Sequence, residues 1–137
     1  MSYLLDAGFL YSLINKREGS HQVVTTTFLS IKGPIILPTV ATTEVAYLVQ
    51  RDMGAQSVAK FLDSLANSPF SLTEPTSSDF SRGAEIIRQY SDSNIDFVDS
   101  IIFAMSERLK ITKILTVDQR HFRIFRPKHC SAFEILP

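Results

Sequence analysis

Four carboxylates in this chain stand where hydrolytic chemistry would need them. Asp6 directly follows the apolar run Tyr3-Leu4-Leu5, and Asp118 directly follows the run that ends at Val117. If both runs are parallel strands, both acids lie at carboxyl edges, where open α/β sheets bind ligands. Glu44 shares a helical face with Val40, Tyr47 and Leu48, and a carboxylate on such a stripe is costly unless paired or bound to a cation. Asp99 falls in the first turn of a helical stretch, on the side of Ile95, Ile102 and Phe103, with Asp96 three residues earlier at the N-cap position. Each acid alone also fits a milder role: Asp6 and Asp118 as N-caps, Asp99 as a residue stabilised by the helix dipole, Glu44 as an exposed residue near a helix start. Brought together, they repel. Two such charges ~4 Å apart cost about 4 kcal/mol at an effective dielectric near 20. Either their pKa values rise or a multivalent cation neutralises them. Oxygen ligands select Mg²⁺ or Mn²⁺ over zinc. His21, His121 and His129 form no helical pair, so a His-based zinc site is not expected, and Cys130 is the one cysteine. That excludes an intrachain disulfide and a Cys-based zinc site.

Short apolar runs alternating with helical periodicity must position these acids. Strands are expected over 3–5, 35–37, 70–72, 113–117 and 132–136. Helices are expected over 7–16, 21–30, 40–51, 55–66, 78–90 and 97–109. The helix over 55–66 puts Val58, Phe61, Leu62 and Leu65 on one face, and that over 78–90 puts Phe80, Ala84 and Ile87 on its apolar stripe. In the helix over 97–109, Val98, Ile101, Ile102, Met105 and Leu109 point inward. This order implies an α/β fold with a parallel sheet and helices on both faces.

At 137 residues, with 45% hydrophobic residues, the chain suits one domain spanning 1–137 with its own core. Fourteen Lys and Arg balance fourteen Asp and Glu, so net charge points to no partner. No apolar run approaches the ~20 residues of a membrane span. The start, MSYLLDAGFL, lacks the basic region of a signal peptide. The expectation is a cytoplasmic protein without a membrane partner. No phosphate-cradling glycine loop is present.

The segments LLDAGFLYSLINK, PTVATTEVAYLVQR and NIDFVDSIIFAMSERLKITKILTVDQRHF, taken in order, resemble the PIN-domain nucleases, and most of all the VapC-type toxins of toxin–antitoxin pairs. The resemblance places Asp6, Glu44, Asp99 and Asp118 at the four acidic positions, with Thr116 two residues before the last. Ala7 stands where Thr or Ser is common in the family, which removes a hydroxyl but no acid. The resemblance implies a three-layer α/β/α fold around a five-stranded parallel sheet. It also implies Mg²⁺- or Mn²⁺-dependent hydrolysis of RNA phosphodiester bonds, with Asp6, Glu44, Asp99 and Asp118 holding the metal and Thr116 orienting a ligand or water. A protein antitoxin and a homodimer are the implied partners. Among the residues of the first helices, Phe9, Leu13, Val24 and Phe28 are candidates for an antitoxin groove.

Three other readings compete. A non-catalytic PIN-like module that binds RNA or protein would be expected to lack one or more acids. A phosphatase of the haloacid dehalogenase type needs Asp-x-Asp after the first strand, and Asp6 is followed by Ala7 and Gly8. A doubly wound domain whose acids are all caps leaves Glu44 unexplained. Beyond Asp118, the segment from Gln119 to His129 holds Arg120, Arg123, Arg126 and Lys128 and no acid. Arg120 and Arg123 are candidate phosphate contacts; the alternative is a solvated loop whose charges pair with surface acids. Phe122 and Phe125 are expected to anchor that segment, and Phe28, Phe61, Phe80 and Phe103 to lie in the core or an interface.

Overall fold

The computed structural model describes all residues, 1–137. Five strands, β1 (Tyr3–Leu5), β2 (Ile35–Pro38), β3 (Ser71–Thr73), β4 (Lys113–Leu115) and β5 (Glu134–Leu136), form one parallel sheet in the order β3-β2-β1-β4-β5. Seven helices flank it: α1 (Ala7–Ile14), α2 (His21–Ser30), α3 (Thr39–Met53), α4 (Ala55–Ala66), α5 (Ser77–Gln89), α6 (Phe97–Leu109) and α7 (Gln119–Ile124). This is the expected three-layer α/β/α architecture. The chain winds outward from β1 through β2 to β3, then returns to the other side of β1 for β4 and β5. The switch point therefore lies between β1 and β4.

Alternation along the strands builds a core on each face. Leu5, Leu37 and Leu115 pack with Phe9, Leu10, Val45, Val49 and Phe61 on one side. Leu4 and Ile114 pack with Ile86, Ile102, Phe103, Phe122, Phe125 and Phe133 on the other. In register, Leu5 pairs with Leu115, so Asp6 and Thr116 emerge side by side one step later.

Several faces differ from their sequence expectation. The buried stripe of α5 is Asp79, Gly83 and Ile86, one residue away from Phe80, Ala84 and Ile87. An ion pair and a close approach decide this. Asp79 is buried against Arg108 of α6 at 2.8 Å. A Cβ at Gly83 would come within 3.1 Å of Ile101 Cδ1, so α5 and α6 pack more closely than a larger residue allows. Phe80 is left 49% exposed, stacked on the equally exposed Phe97 with ring centroids 6.5 Å apart. On α3 the core stripe is Ala41, Val45 and Val49. Glu44 lies on its shoulder, and Tyr47 is 65% exposed. Leu62 also faces solvent, because Phe61 takes the buried position on α4. Phe9 and Val24 are fully buried and closed to a partner, whereas Leu13 and Phe28 are partly buried.

Some boundaries move as well. α1 stops at Ile14, where Asn15 turns extended and binds the Tyr11 hydroxyl through its amide. β4 stops at Leu115; the Thr116 N–H still bonds the Leu136 carbonyl at 2.9 Å, and its hydroxyl then accepts the Asp118 N–H in the turn that follows. The basic segment opens with a helix, α7, and not with the solvated loop of the alternative reading. Phe122 and Phe125 anchor it against Phe103, as expected, with centroid distances of 4.8 and 4.4 Å. No helix is long and apolar enough to cross a membrane.

Candidate active site

β1 and β4 deliver Asp6 and Thr116 to the carboxyl edge of the sheet. The Asp6 N–H still bonds the Leu115 carbonyl at 2.9 Å, so the ladder itself holds the residue. The carboxylate is buried and bonded at both oxygens. Oδ1 accepts the Ala7 N–H, and Oδ2 accepts the Thr116 hydroxyl, each at 2.8 Å. The capping role thus holds in part, but one oxygen serves the Thr116 contact. Burial, with the charges of Glu44 and Asp118, pushes the Asp6 carboxyl up to about 6 against those two hydrogen bonds.

Thr116 is the hinge between two acids. Its Oγ1 also accepts the Asp118 N–H at 3.0 Å. Asp118 starts α7 but makes no capping bond with its side chain, which is 51% exposed. The cap explanation therefore fails for Asp118. One helical turn on, His121 lies on the same side. Its Nδ1 sits 3.6 Å from Asp118 Oδ2 and 2.8 Å from Asp99 Oδ2.

Asp99 comes from α6. Asp96 caps that helix, accepting the Asp99 N–H at 2.9 Å, which leaves the Asp99 side chain free to face the site. Asp99 is buried. Desolvation, then the charges of Asp6 and Asp96, hold its carboxyl well above the usual range, against the His121 contact. Glu44 is half-buried, and burial followed by the Asp96 charge raises its carboxyl too.

The sheet edge and α6 thus bring Asp6, Asp99, Asp118 and Thr116 together. One donor atom each from Asp99, Asp118 and His121 fall within 4.8 Å of one another. Asp6 and Glu44 stand outside that group of three, and the charges of Glu44 and Asp118 act on Asp6. No Lys or Arg forms an ion pair with any of the four acids. An oxygen-rich group without Lys or Arg, in which Asp6, Glu44 and Asp99 are held above the usual range, suits a hard divalent cation. His121 is the residue that sequence reasoning misses. The signal for it is its i,i+3 spacing from Asp118, not a search for histidine pairs.

Beside the site, the arginines on α7 and just after it form no ion pair with an acid. Arg123 donates to Gln119 Oε1 at 2.7 Å, Arg126 donates to the Arg123 carbonyl, and Arg120 is exposed without a side-chain bond.

The chain's relatives share this frame. Ribonuclease VapC26 of Mycobacterium tuberculosis is 25% identical over 134 residues, covering 98% of this chain and 99% of that protein. The structure of VapC20 from the same organism, a sarcin–ricin-loop cleaving toxin, superposes with a TM-score of 0.82 at 15% identity over 98% of this chain and 99% of that one. A toxin–antitoxin complex from Klebsiella pneumoniae contains a chain with a TM-score of 0.70 at 14% identity, covering 98% and 96%. The model of the PIN domain matches residues 3–126, and the chain belongs to the PIN-domain family.

Proposed function

We propose that this protein is a metal-dependent endoribonuclease and the toxin of a type II toxin–antitoxin pair. One observation carries the reading: buried carboxylates converge at the switch point of the sheet with no Lys or Arg paired to them, His121 being the one basic side chain in contact. A structural cluster would be paired, because unpaired buried charge costs stability. The family and the ribonuclease relative supply the reaction class.

Asp6, Asp99 and Asp118 are the proposed ligands of Mg²⁺ or Mn²⁺, with Glu44 completing the negative field. A bound divalent ion supplies an activated water and neutralises charge on the phosphate. The chain's own groups prepare for that. Thr116 fixes the rotamer of Asp6 and the backbone of Asp118 through one hydroxyl. His121 fixes the Asp99 carboxylate. Without metal, Asp6 and Asp99 are the groups that hold protons to higher pH than an ordinary carboxyl. Arg120 and Arg123, which follow Asp118 closely in the chain, are proposed to steer the RNA backbone towards this acidic centre. A protein antitoxin, in line with the Klebsiella complex, and a second copy of the chain are the proposed partners.

The test is cleavage of single-stranded RNA by the purified protein with Mg²⁺ or Mn²⁺, with EDTA, and with Asp99→Asn. Cleavage that needs the metal and vanishes in the variant is expected. RNA binding with no metal-dependent cleavage would instead make the chain a PIN-like binding module.

A further inference from the structure

The tightest donor group of the site is not purely carboxylate. His121 Nδ1 lies 2.8 Å from Asp99 Oδ2 and 3.6 Å from Asp118 Oδ2. Neighbouring ligands on an octahedral ion with bonds of about 2.1 Å stand about 3.0 Å apart. His121 Nδ1 stands at 2.8 Å from one carboxylate and 3.6 Å from the other, either side of that spacing, and all three donors lie within 4.8 Å of one another. Their supports are rigid: Asp118 and His121 lie on one turn of α7, and Phe122, next to His121, is buried against Phe103. The other two histidines differ. A ring nitrogen of His21 faces the Ser12 carbonyl and one of His129 faces the Ile111 carbonyl, both at 2.7 Å. Those rings are tied to backbone. His121 alone turns a nitrogen onto carboxylates.

We propose that His121 is itself a metal ligand through Nδ1, beside Asp99 and Asp118, the cation replacing the proton shared between Nδ1 and Asp99 Oδ2 and releasing it to solvent, and that this nitrogen biases the centre towards Mn²⁺ over Mg²⁺. The inference rests on the metal-dependent reading and adds a ligand to it. Mg²⁺ favours oxygen donors and gives up its waters reluctantly, whereas imidazole suits the transition metals better. A mixed N/O set therefore discriminates between two ions that an all-carboxylate set treats more alike.

The experiment uses the full chain with Mn²⁺ alone. Pulsed electron paramagnetic resonance reads nitrogen bound directly to the manganese, and titrations give the Mn²⁺ and Mg²⁺ affinities. His121→Asn retains an amide that can hydrogen-bond Asp99 but removes the imidazole nitrogen. The parent complex should show a ¹⁴N coupling that disappears in the variant. The Mn²⁺-over-Mg²⁺ preference should fall by about tenfold, with Mg²⁺ affinity changed by less than about threefold. Circular dichroism establishes that the variant is folded, and the parent spectrum is decisive without any variant. Manganese bound to the parent without a coupled nitrogen overturns the role of His121 and leaves the carboxylate site standing. A coupling that survives in His121→Asn also overturns it. A parent that binds no Mn²⁺ overturns this inference and the metal-dependent reading together.

Discussion

Helix α6 carries two charged regions that behave in opposite ways. Near its C-terminus, Glu107 and Arg108 meet Arg82 and Asp79 of α5 in paired contacts, each with a 2.8 Å bond. Burial pushes the Asp79 and Glu107 carboxyls up, but their arginine partners and backbone N–H groups outweigh it, and both end below the usual range. At the other end of the helix, Asp99 faces Asp6, and both end above it. Desolvation is the leading influence in both places. What differs is the partner. A buried acid with an arginine holds helices together; buried acids without one store repulsion that a cation can relieve.

That contrast breaks most visibly under mutation of the unpaired acids. Asp6→Asn or Asp99→Asn should lower RNA cleavage about 10³-fold or more, equivalent to about 4 kcal/mol of transition-state stabilisation. Melted in EDTA near pH 7, either variant should be at least as stable as the parent, because a repelling charge has gone. A large drop in Tm in EDTA would move these acids into the structural class.

The paired region should respond the other way. Arg108→Ala leaves Asp79 buried without its guanidinium, and stability should fall by about 3–4 kcal/mol. Activity per folded molecule at saturating metal should be unchanged. Denaturant unfolding and an active-fraction assay measure the two separately. An intact melting curve would show that close packing at Gly83, not the ion pair, fixes the α5–α6 contact.

Acidity sets the two regions against each other. Asp6 titrates at about 6 in the folded chain and at 3.8 when unperturbed, so the folded state binds the extra proton. Stability in EDTA should therefore fall as pH rises from about 4 to about 6, by roughly 3 kcal/mol at most from Asp6 alone. Asp79 and Glu107 have the opposite sign. Their contribution is present above about pH 4 and is lost as pH falls through their lowered folded values. Mn²⁺ should abolish the decline between about pH 4 and 6, and Asp6→Asn should reduce it. Tm across the range from about pH 3 to 8, with EDTA and with Mn²⁺, checks both; a flat EDTA profile above about pH 4 would remove the repulsion argument.

The unpaired region is more legible in the sequence than the paired one, for a physical reason. Asp6 and Asp118 announce themselves because each follows an apolar run, and strand ends are visible in one dimension. Asp99 can be separated from its capping neighbour because N-caps have a fixed spacing: Asp96 does cap α6. Glu44 reads as part of a core stripe that in fact belongs to Ala41, Val45 and Val49, since Tyr47 looks apolar in a pattern but stands in solvent. The face of α5 reads one residue out of place because Asp79 is polar and Gly83 has no side chain. Hydrophobic periodicity has no means of recognising a buried ion pair or a close backbone approach. His121 stays hidden because its partner Asp99 is 22 residues away in the chain. That pairing exists only after α6 and α7 meet.

The smallest expected effect concerns the basic residues on α7, which distinguish steering from ligation. Arg120 and Arg123 both follow Asp118 closely, yet the structure treats them differently. Arg123 commits a guanidinium N–H to Gln119, one turn back on the same short helix. Arg120 is exposed and uncommitted, so its charge can meet a phosphate without first breaking a bond. Replacing Arg120 should therefore reduce RNA affinity more than replacing Arg123. Removing one arginine–phosphate interaction should flatten the dependence of log K on log salt by about 0.7 for a single strand. The measurement is RNA binding across a salt series with Mn²⁺ present, in the Asp99→Asn background expected not to cleave. Arg120→Ala should shift the slope by about that amount, and Arg123→Ala by less, with Mn²⁺ affinity unchanged in both. Equal slopes in parent and Arg120→Ala would assign this arginine to the solvent and shift the search for the RNA path to the exposed Phe80–Phe97 stack on the α5–α6 side.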